Sequence, residues 1–202
     1  MRSRNHRGEG VRLRADILVA ATGLLDWGGE RAVTLRAVAR EVGIATPSIY
    51  PHFPDRSAVL LAVVRAASAE LTHRIRVAMT TASPDDRLYA AGHAYFDFAA
   101  AHPRRYRATF ELADPDPVIV RLLAGALSEC VAAGYSASTD PAADAVALWL
   151  GLHGVAHQRS VIHNFPWSAD LVPHVVASLA HLDVERSHHA RHHPRHVRSR
   201  LG

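Results

Sequence analysis

The side chains whose types and spacing best fit a chemical role lie between residues 34 and 56. They bring hydroxyl, phenol, imidazole and guanidinium groups, with prolines among them, into one short stretch. Hydrogen-bond donors and positive charges of this kind bind anionic oxygens, and the same groups can contact the edges of nucleic-acid bases. Within this stretch the polar candidates for such contacts are Thr46, Ser48, Tyr50 and Arg56, with Pro47 between the first two.

A short amphipathic helix is predicted directly after Thr34. Thr34 suits the N-cap position, and Gly43 stands where a helix commonly ends in the left-handed conformation. Between them, apolar residues recur at the spacing that places side chains on one face of a helix. These residues are Leu35, Val38, Ala39 and Val42.

A second helix, of about one to two turns, is predicted from Thr46, with Pro47 in its first position. Pro51 lacks the N–H that a continuing helix needs, so this helix must be short. It would turn Ile49 and Phe53 inward and its polar residues outward.

A third helix is predicted from Asp55, which caps it and places Arg56 in its first turn. A positive charge at that end is unfavourable for the helix dipole, and an anionic partner such as a phosphate would reverse the effect.

Two helices joined by a tight glycine turn, the second with polar residues at its exposed start, form the helix-turn-helix arrangement. In that arrangement the second helix enters the DNA major groove by its N-terminal end. On pattern alone, an ordinary helical hairpin of a bundle remains the alternative.

The stretch VTLRAVAREVGIATPSIYPHFPDRSAVL resembles the DNA-binding signature of the TetR family of transcriptional regulators. The matching features are Thr34 and Arg36, the central Gly43, the Pro-Ser-Ile-Tyr run, the His52-Phe53 pair and the basic Arg56. The resemblance covers roughly residues 11–60. It implies DNA-contact roles for Thr34, Arg36, Thr46, Pro47, Ser48, Tyr50, His52 and Arg56. Pro51 departs from the family pattern, which often has an aromatic or polar residue there.

Charge is distributed unevenly along the 202 residues, which have a formal net charge of +4. Residues 1–56 contain nine arginines and six acidic residues. Residues 57–185 contain nine arginines and thirteen acidic residues, and residues 186–202 contain five arginines and no acidic residue. Basic ends around an acidic middle indicate that anion binding belongs to the ends.

Composition and motifs exclude several classes of protein. The sequence contains no run of eighteen apolar residues, so no membrane span is predicted, and no signal peptide is visible. The single Cys130 excludes an internal disulfide and fits a cytoplasmic location. Enzyme signatures such as a glycine-rich phosphate loop or G-x-S-x-G are absent, so no catalytic residues, cofactor or metal site are predicted.

The predicted fold is all-α, with an N-terminal three-helix helix-turn-helix domain followed by a helical-bundle domain for ligand binding and dimerisation. We expect a disordered basic arm at residues 1–10, the DNA-binding domain at 11–56, the second domain at 57–185 and a disordered His/Arg-rich tail at 186–202. The first helix is predicted over Val11–Trp27 and the last over Ser168–Leu182. The tail histidines could hold a metal adventitiously.

The second domain contains aromatic residues at helical spacing. Tyr89, His93, Phe96 and Ala100 share one predicted helix face, and Tyr106 and Phe110 share the next. These side chains fit either a packed core or an apolar pocket between helices. The family resemblance, which implies an effector pocket here, favours the second interpretation. The candidate ligand-binding residues are Tyr89, His93, Phe96, Tyr106, Phe110, Leu123, Leu127, Trp149 and His153.

Trp149, His153 and His157 recur every four residues on a later predicted helix. The two histidines could ligate a metal, but buried packing histidines fit better because no glutamate follows His153. Trp149, His153 and Gly154 resemble a C-terminal domain class of TetR regulators named WHG. Gly151 and Gly154 predict close helix packing, which suits an interface.

The family resemblance implies a homodimer that binds a double-stranded DNA operator. It also implies a repressor that an unknown small-molecule effector releases from DNA. The alternative is a DNA-binding or architectural protein without a ligand.

Overall fold

The computed structural model describes residues 7–113, 117–162, 164 and 166–183. Within these residues the chain forms eight α-helices and two short 3₁₀ helices, and no β-strand. None of these helices has the length and apolar character needed to cross a bilayer. The α-helices are α1 (Arg7–Gly28), α2 (Leu35–Val42), α3 (Arg56–Thr81), α4 (Arg87–Ala101), α5 (Pro103–Leu112), α6 (Pro117–Ala132), α7 (Pro141–Val161) and α8 (Leu171–Leu179).

The chain divides into two compact units that do not follow the boundary expected at residue 56. The first contains Met1–His73 and Asp97–Asp116, and the second contains Arg74–Phe96 and Pro117–Gly202. The boundary after His73 lies inside α3, and α5 belongs to the first unit. The apolar core explains this, because side chains from α3 and Ala108 of α5 pack with those of α1 and α2.

Helix α1 begins at Arg7, within the segment expected as a disordered basic arm at residues 1–10. Extending an existing helix adds one hydrogen bond for each residue fixed, whereas starting a helix is costly. The packed turns around Ile17 and Ala21 therefore extend α1 through Gly8 and Gly10. The first six residues, and the tail from residue 184, lie outside the described residues.

The turn between α2 and the next helix has the predicted geometry. The Thr34 side chain accepts a hydrogen bond from the Ala37 N–H at 3.1 Å, and Gly43 has φ 76° and ψ 31°. The Ile44 N–H returns to the Ala39 carbonyl at 2.9 Å, which closes the end of α2. Glycine reaches this left-handed conformation without a Cβ clash.

The second helix of the motif is shorter and tighter than predicted. Thr46–Ser48 forms a 3₁₀ helix, in which the Ile49 N–H bonds to the Thr46 carbonyl at 3.1 Å. An α-helix would need the N–H that Pro51 lacks, so the segment continues as turns. Its ends still pack as expected, because Ile49 and Phe53 are both buried.

In the second unit, the buried face of α4 differs from the predicted one. Leu88, Ala91 and Tyr95 are buried. Of the predicted face, Phe96 is buried and Tyr89 half-buried, whereas His93 and Ala100 are exposed. Both faces contain aromatic and small residues, so helical spacing alone could not separate them. Gly92 decides the orientation, since a Cβ there would lie only 2.9 Å from Val176 of α8.

Helices α7 and α8 pack closely at Gly151, where an added Cβ would collide with the Leu179 side chain. The close packing predicted for Gly151 is therefore present within the chain. Gly154, by contrast, is exposed, and no atom lies within 4 Å of the position that a Cβ would occupy there.

The last helix is shorter than the predicted Ser168–Leu182. It ends at Leu179, and His181 has a positive φ of 50°. The backbone beyond the helix bonds to another segment instead, because the Ala137 N–H reaches the His181 carbonyl at 2.9 Å. Leu182 also forms an isolated antiparallel bridge with Ser136.

Candidate functional site

The predicted DNA-contact residues form an exposed or half-exposed row around the short 3₁₀ helix. Arg36, Pro47 and Tyr50 are exposed, and 54% of the Tyr50 surface is accessible. Thr34 is also exposed, although its hydroxyl already caps α2. The half-buried members are Thr46, Ser48 and His52.

The frame behind this row is apolar and well packed. Ile49 and Phe53 are almost completely buried in the core of the first unit. The Arg14 guanidinium lies 4.7 Å from the centre of the Phe53 ring, which is within cation–π distance. The Asp55 carboxylate accepts the Ala58 N–H at 2.7 Å and caps α3 as predicted. Polar groups around Tyr50 are therefore presented from a fixed backbone.

Arg56 takes part in folding contacts that the sequence did not indicate. Its Nε donates to the Val33 carbonyl at 2.7 Å, and its guanidinium also donates to the Glu30 carbonyl at 2.5 Å. The side chain is half-buried and ties the start of α3 to the connection between α1 and α2. The dipole argument predicted a partner for this cation but not that backbone carbonyls would supply it.

Trp149, His153 and Tyr95 meet in the second unit. The Trp149 and His153 rings stack with centroids 5.5 Å apart, and His153 Nδ1 lies 3.2 Å from the Tyr95 hydroxyl. Burial lowers the pKa of His153, and the neighbouring His157 lowers it further. His153 is thus a packed, hydrogen-bonded imidazole, and the described residues contain no group of three potential metal ligands.

The other candidate ligand residues fall into different environments. Leu123, Leu127 and Phe96 are buried, Tyr89 is half-buried and His93 is exposed. Tyr106 and Phe110 pack against each other with ring centroids 5.0 Å apart, and they belong to the first unit.

The sequence reasoning missed two residues that contact predicted ligand-binding residues, Tyr95 at His153 and Arg159 at Phe96. Tyr95 was missed because it lies outside the face of α4 that was considered, although Leu88, Ala91 and Tyr95 have helical spacing. Arg159 was missed because no local pattern marks it. Its guanidinium lies 5.9 Å from the Phe96 ring and 5.8 Å from the Trp167 ring.

Comparison with known proteins gives a family for both parts of the chain. A model described as bacterial regulatory proteins of the tetR family matches residues 17–63. A second, described as a tetracyclin repressor-like C-terminal domain, matches residues 88–182 and so includes Trp149 and His153. An uncharacterised HTH-type transcriptional regulator from Mycobacterium tuberculosis is 31% identical over 147 residues, which is 70% of this chain and 67% of the relative. The chain belongs to the TetR family of transcriptional regulators.

The HTH-type transcriptional activator FasR from Mycolicibacterium smegmatis is 32% identical over 99 residues. The chain spans about half the length of FasR, since the match covers 48% of this chain and 45% of that regulator. A TetR-family regulator from Pectobacterium atrosepticum shares the fold, with a TM-score of 0.71 at 22% identity over 87% of this chain and 94% of that one. Membership of the TetR family makes this chain a transcription factor rather than an enzyme.

Proposed function

We propose that this TetR-family chain binds a specific DNA operator, represses transcription there, and is released by a small-molecule ligand. The observation that carries the proposal is the exposed or half-buried row of Thr46, Pro47, Ser48 and Tyr50 on a frame fixed by Ile49 and Phe53. A segment that reads DNA must hold its polar groups in one position against the groove. A regulator of genes acts beside the chromosome, so we place the protein in the cytoplasm.

In this proposal, the two parts of the motif have different tasks. Pro47, Ser48 and Tyr50 enter the major groove, where side chains meet base edges. Thr34, at the start of α2, and the exposed Arg36 contact the phosphate backbone, which fixes register without reading sequence. Arg56 contributes by holding the frame in place through the Val33 and Glu30 carbonyls.

The proposed operator is a near-palindrome bound by a homodimer. Two such motifs reach successive major grooves when they are about 34–36 Å apart. The exposed apolar residues Val146 and Leu150 of α7 support this assembly, because each leaves more than 40% of its surface accessible in the single chain. Gly154 lies one further turn along α7, and it has no side chain that would project from the same surface.

Release by a ligand requires that the ligand bind the DNA-free state more tightly than the DNA-bound state. The C-terminal match to a tetracyclin repressor-like domain supports a ligand-responsive repressor. FasR, a relative, is named as an activator, so the direction of regulation needs its own measurement. A promoter–reporter assay in cells with and without the gene measures this direction. Lower reporter expression in cells without the gene would show activation and contradict the proposed repression.

The DNA proposal is tested by selecting binding sites from genomic fragments and then titrating variants against the selected site. We expect Tyr50→Ala to weaken operator binding by roughly tenfold or more while leaving random DNA binding almost unchanged. Arg36→Ala should weaken both and lower the salt dependence by about one phosphate contact.

Arg65→Ala is the matched control, because Arg65 is an exposed arginine on α3 outside the motif. The proposal fails if Tyr50→Ala and Arg65→Ala bind the operator equally well. If the selection gives no preferred sequence, the result favours the alternative, an architectural DNA-binding protein without a ligand.

A further inference from the structure

An open pocket in the second unit combines guanidinium groups with an apolar floor. It lies between the C-terminal end of α3, the first turn of α4 and the middle of α6, and its volume is about 390 Å³. That volume falls within the range of about 300–1,000 Å³ seen for small-molecule sites. Its lining includes Arg76, Arg87, Arg121, Met79, Gly125 and Ala126. None of the aromatic residues considered above belongs to it.

The pocket is lined by an excess of positive side chains, whereas the sequence around it has an excess of acidic residues. Residues 57–185 contain nine arginines and thirteen acids, yet three of those arginines and a single acid, Glu129, line the pocket. Arg87 pairs with Glu129. Arg76 and Arg121 form no ion pair with any residue that the structure describes, and both are exposed. Two guanidinium groups are therefore available to an incoming anion.

Gly125 leaves this pocket open from the side of α6. At Gly92 and Gly151, side chains of α8 fill the space beside the glycine. No atom of the described chain lies within 4 Å of the position where a Gly125 Cβ would be. The space beside Gly125 belongs to the pocket instead.

We propose that this pocket is the effector site and that its ligand is an organic anion with a short hydrocarbon portion. Arg76 and Arg121 bind the carboxylate or phosphate group, for which guanidinium groups are well suited. The hydrocarbon portion covers Met79 and Ala126 beside Gly125. The regulatory meaning of the site rests on the ligand release proposed above, whereas the binding itself does not.

Calorimetry on the full chain without DNA tests the binding directly. The probes are octanoate, octyl phosphate, octanol and octylammonium, which share one tail, and inorganic phosphate, which has none. We expect octanoate or octyl phosphate to bind at least roughly tenfold more tightly than the other three. Whichever of the two anions binds more tightly identifies the head group. Equal binding of octanol, tighter binding of inorganic phosphate, or no binding of either amphipathic anion would overturn the proposal.

Variants then locate the site. Arg121→Gln and Arg76→Gln should each weaken binding of the preferred anion about tenfold or more, and Gly125→Leu should abolish it by filling the space. Arg65→Gln and Gly23→Leu are the controls, since Gly23 is another exposed helical glycine with no atom near its absent Cβ. Thermal unfolding of each variant confirms that it is folded.

Anion binding that survives all three pocket variants would place the ligand elsewhere and contradict the assignment. DNA release is measured separately, by adding the bound anion to the operator complex. A ligand that binds this pocket without changing operator affinity would contradict the proposed release mechanism and leave the binding site standing.

Discussion

Arg56 joins two segments of the first unit that are far apart in sequence. Its guanidinium donates to carbonyls 23 and 26 residues earlier, from a half-buried position. Hydrogen bonds that involve a charged group contribute about 1.5–3 kcal/mol each, and partial exposure reduces that value. We therefore expect Arg56→Ala to lower the free energy of unfolding by about 2 kcal/mol, as measured by urea denaturation.

Arg36→Ala serves as the comparison for this prediction. Arg36 is exposed, so its removal should change stability by less than about 0.5 kcal/mol while weakening DNA binding. If Arg56→Ala were as stable as the unsubstituted protein and lost only DNA affinity, the carbonyl contacts would contribute nothing to the fold.

His153 gives a pH dependence whose sign follows from its surroundings. Burial, and then the charge of His157, lower the pKa of His153 below its ordinary value of 6.5. The unfolded chain therefore binds more protons than the folded chain as the pH falls through 6.5. We expect the stabilising contribution of the neutral imidazole to be present above pH 6.5 and to be lost as the solution becomes more acidic.

The measurement for His153 is the free energy of unfolding at a series of pH values between about 7.5 and 5. His153→Asn should reduce the slope in this range, because asparagine does not titrate. Tyr95→Phe removes the hydroxyl partner of Nδ1 and should lower stability at pH 7.5. An unchanged slope in His153→Asn would assign the acid sensitivity to other groups.

At the scale of elements, the sequence predicted the helix ends of the helix-turn-helix better than the buried face of α4. Thr34, Gly43 and Asp55 all act at helix termini, where one residue type and its neighbours determine the local geometry. The face of α4 depended on Gly92 meeting Val176, a contact between residues more than eighty positions apart. Local spacing carries no information about such a partner.

In the candidate site, too, local patterns predicted some features and could not predict others. The exposed row at Pro47 and Tyr50 could be predicted because buried Ile49 and Phe53 alternate with it along a short segment. The internal role of Arg56 could not, because its carbonyl partners belong to another part of the chain. The arginine-lined pocket was also beyond prediction, since Arg76 and Arg121 come from two helices that local patterns do not bring together.

Helix α5 is attached to α1 and α3 through Arg105. Its side chain, 12% exposed, forms ion pairs with Asp26 and with Glu70, the latter at 2.9 Å. Breaking buried pairs costs about 3–5 kcal/mol, and exposed pairs contribute at most about 1 kcal/mol. For this partly buried group we expect Arg105→Ala to destabilise the protein by about 2 kcal/mol.

A double-mutant cycle of Arg105→Ala with Asp26→Ala isolates the pair, with unfolding monitored by urea titration. The coupling free energy should be about 1 kcal/mol or more, since the two side chains are in contact. Additive effects of the two substitutions would mean that the contact between Arg105 and Asp26 contributes nothing to stability, and would leave the Arg105–Glu70 pair to be tested in the same way. Arg65→Ala, on the exposed side of α3, should leave stability almost unchanged.

At the scale of the whole molecule, the proposed dimer depends on the exposed apolar residues of α7. Leu150→Arg would place a charge at the centre of that surface, where 54% of the leucine is accessible in the single chain. We expect this variant to sediment as a monomer at micromolar concentration, because an unpaired buried charge opposes association.

Val77→Arg is the control for the dimer, since Val77 is an exposed valine on α3 of the same unit. It should sediment as a dimer, like the unsubstituted protein. A folded monomer for all three proteins would contradict the proposed assembly, and a dimer for all three would place the interface away from Leu150.

The discontinuous core of the first unit also limits how genes of this type can recombine. Val59, Val63 and Ala108 complete the core that supports Ile49 and Phe53, yet they follow the helix-turn-helix in the chain. A crossover at codon 56 would join the helix-turn-helix to foreign partners in place of five of the thirteen buried residues of its core. The first unit occupies Met1–His73 and Asp97–Asp116, with part of the second unit between them. A hybrid gene made by one crossover therefore cannot inherit the complete first unit from one parent and the complete second unit from the other.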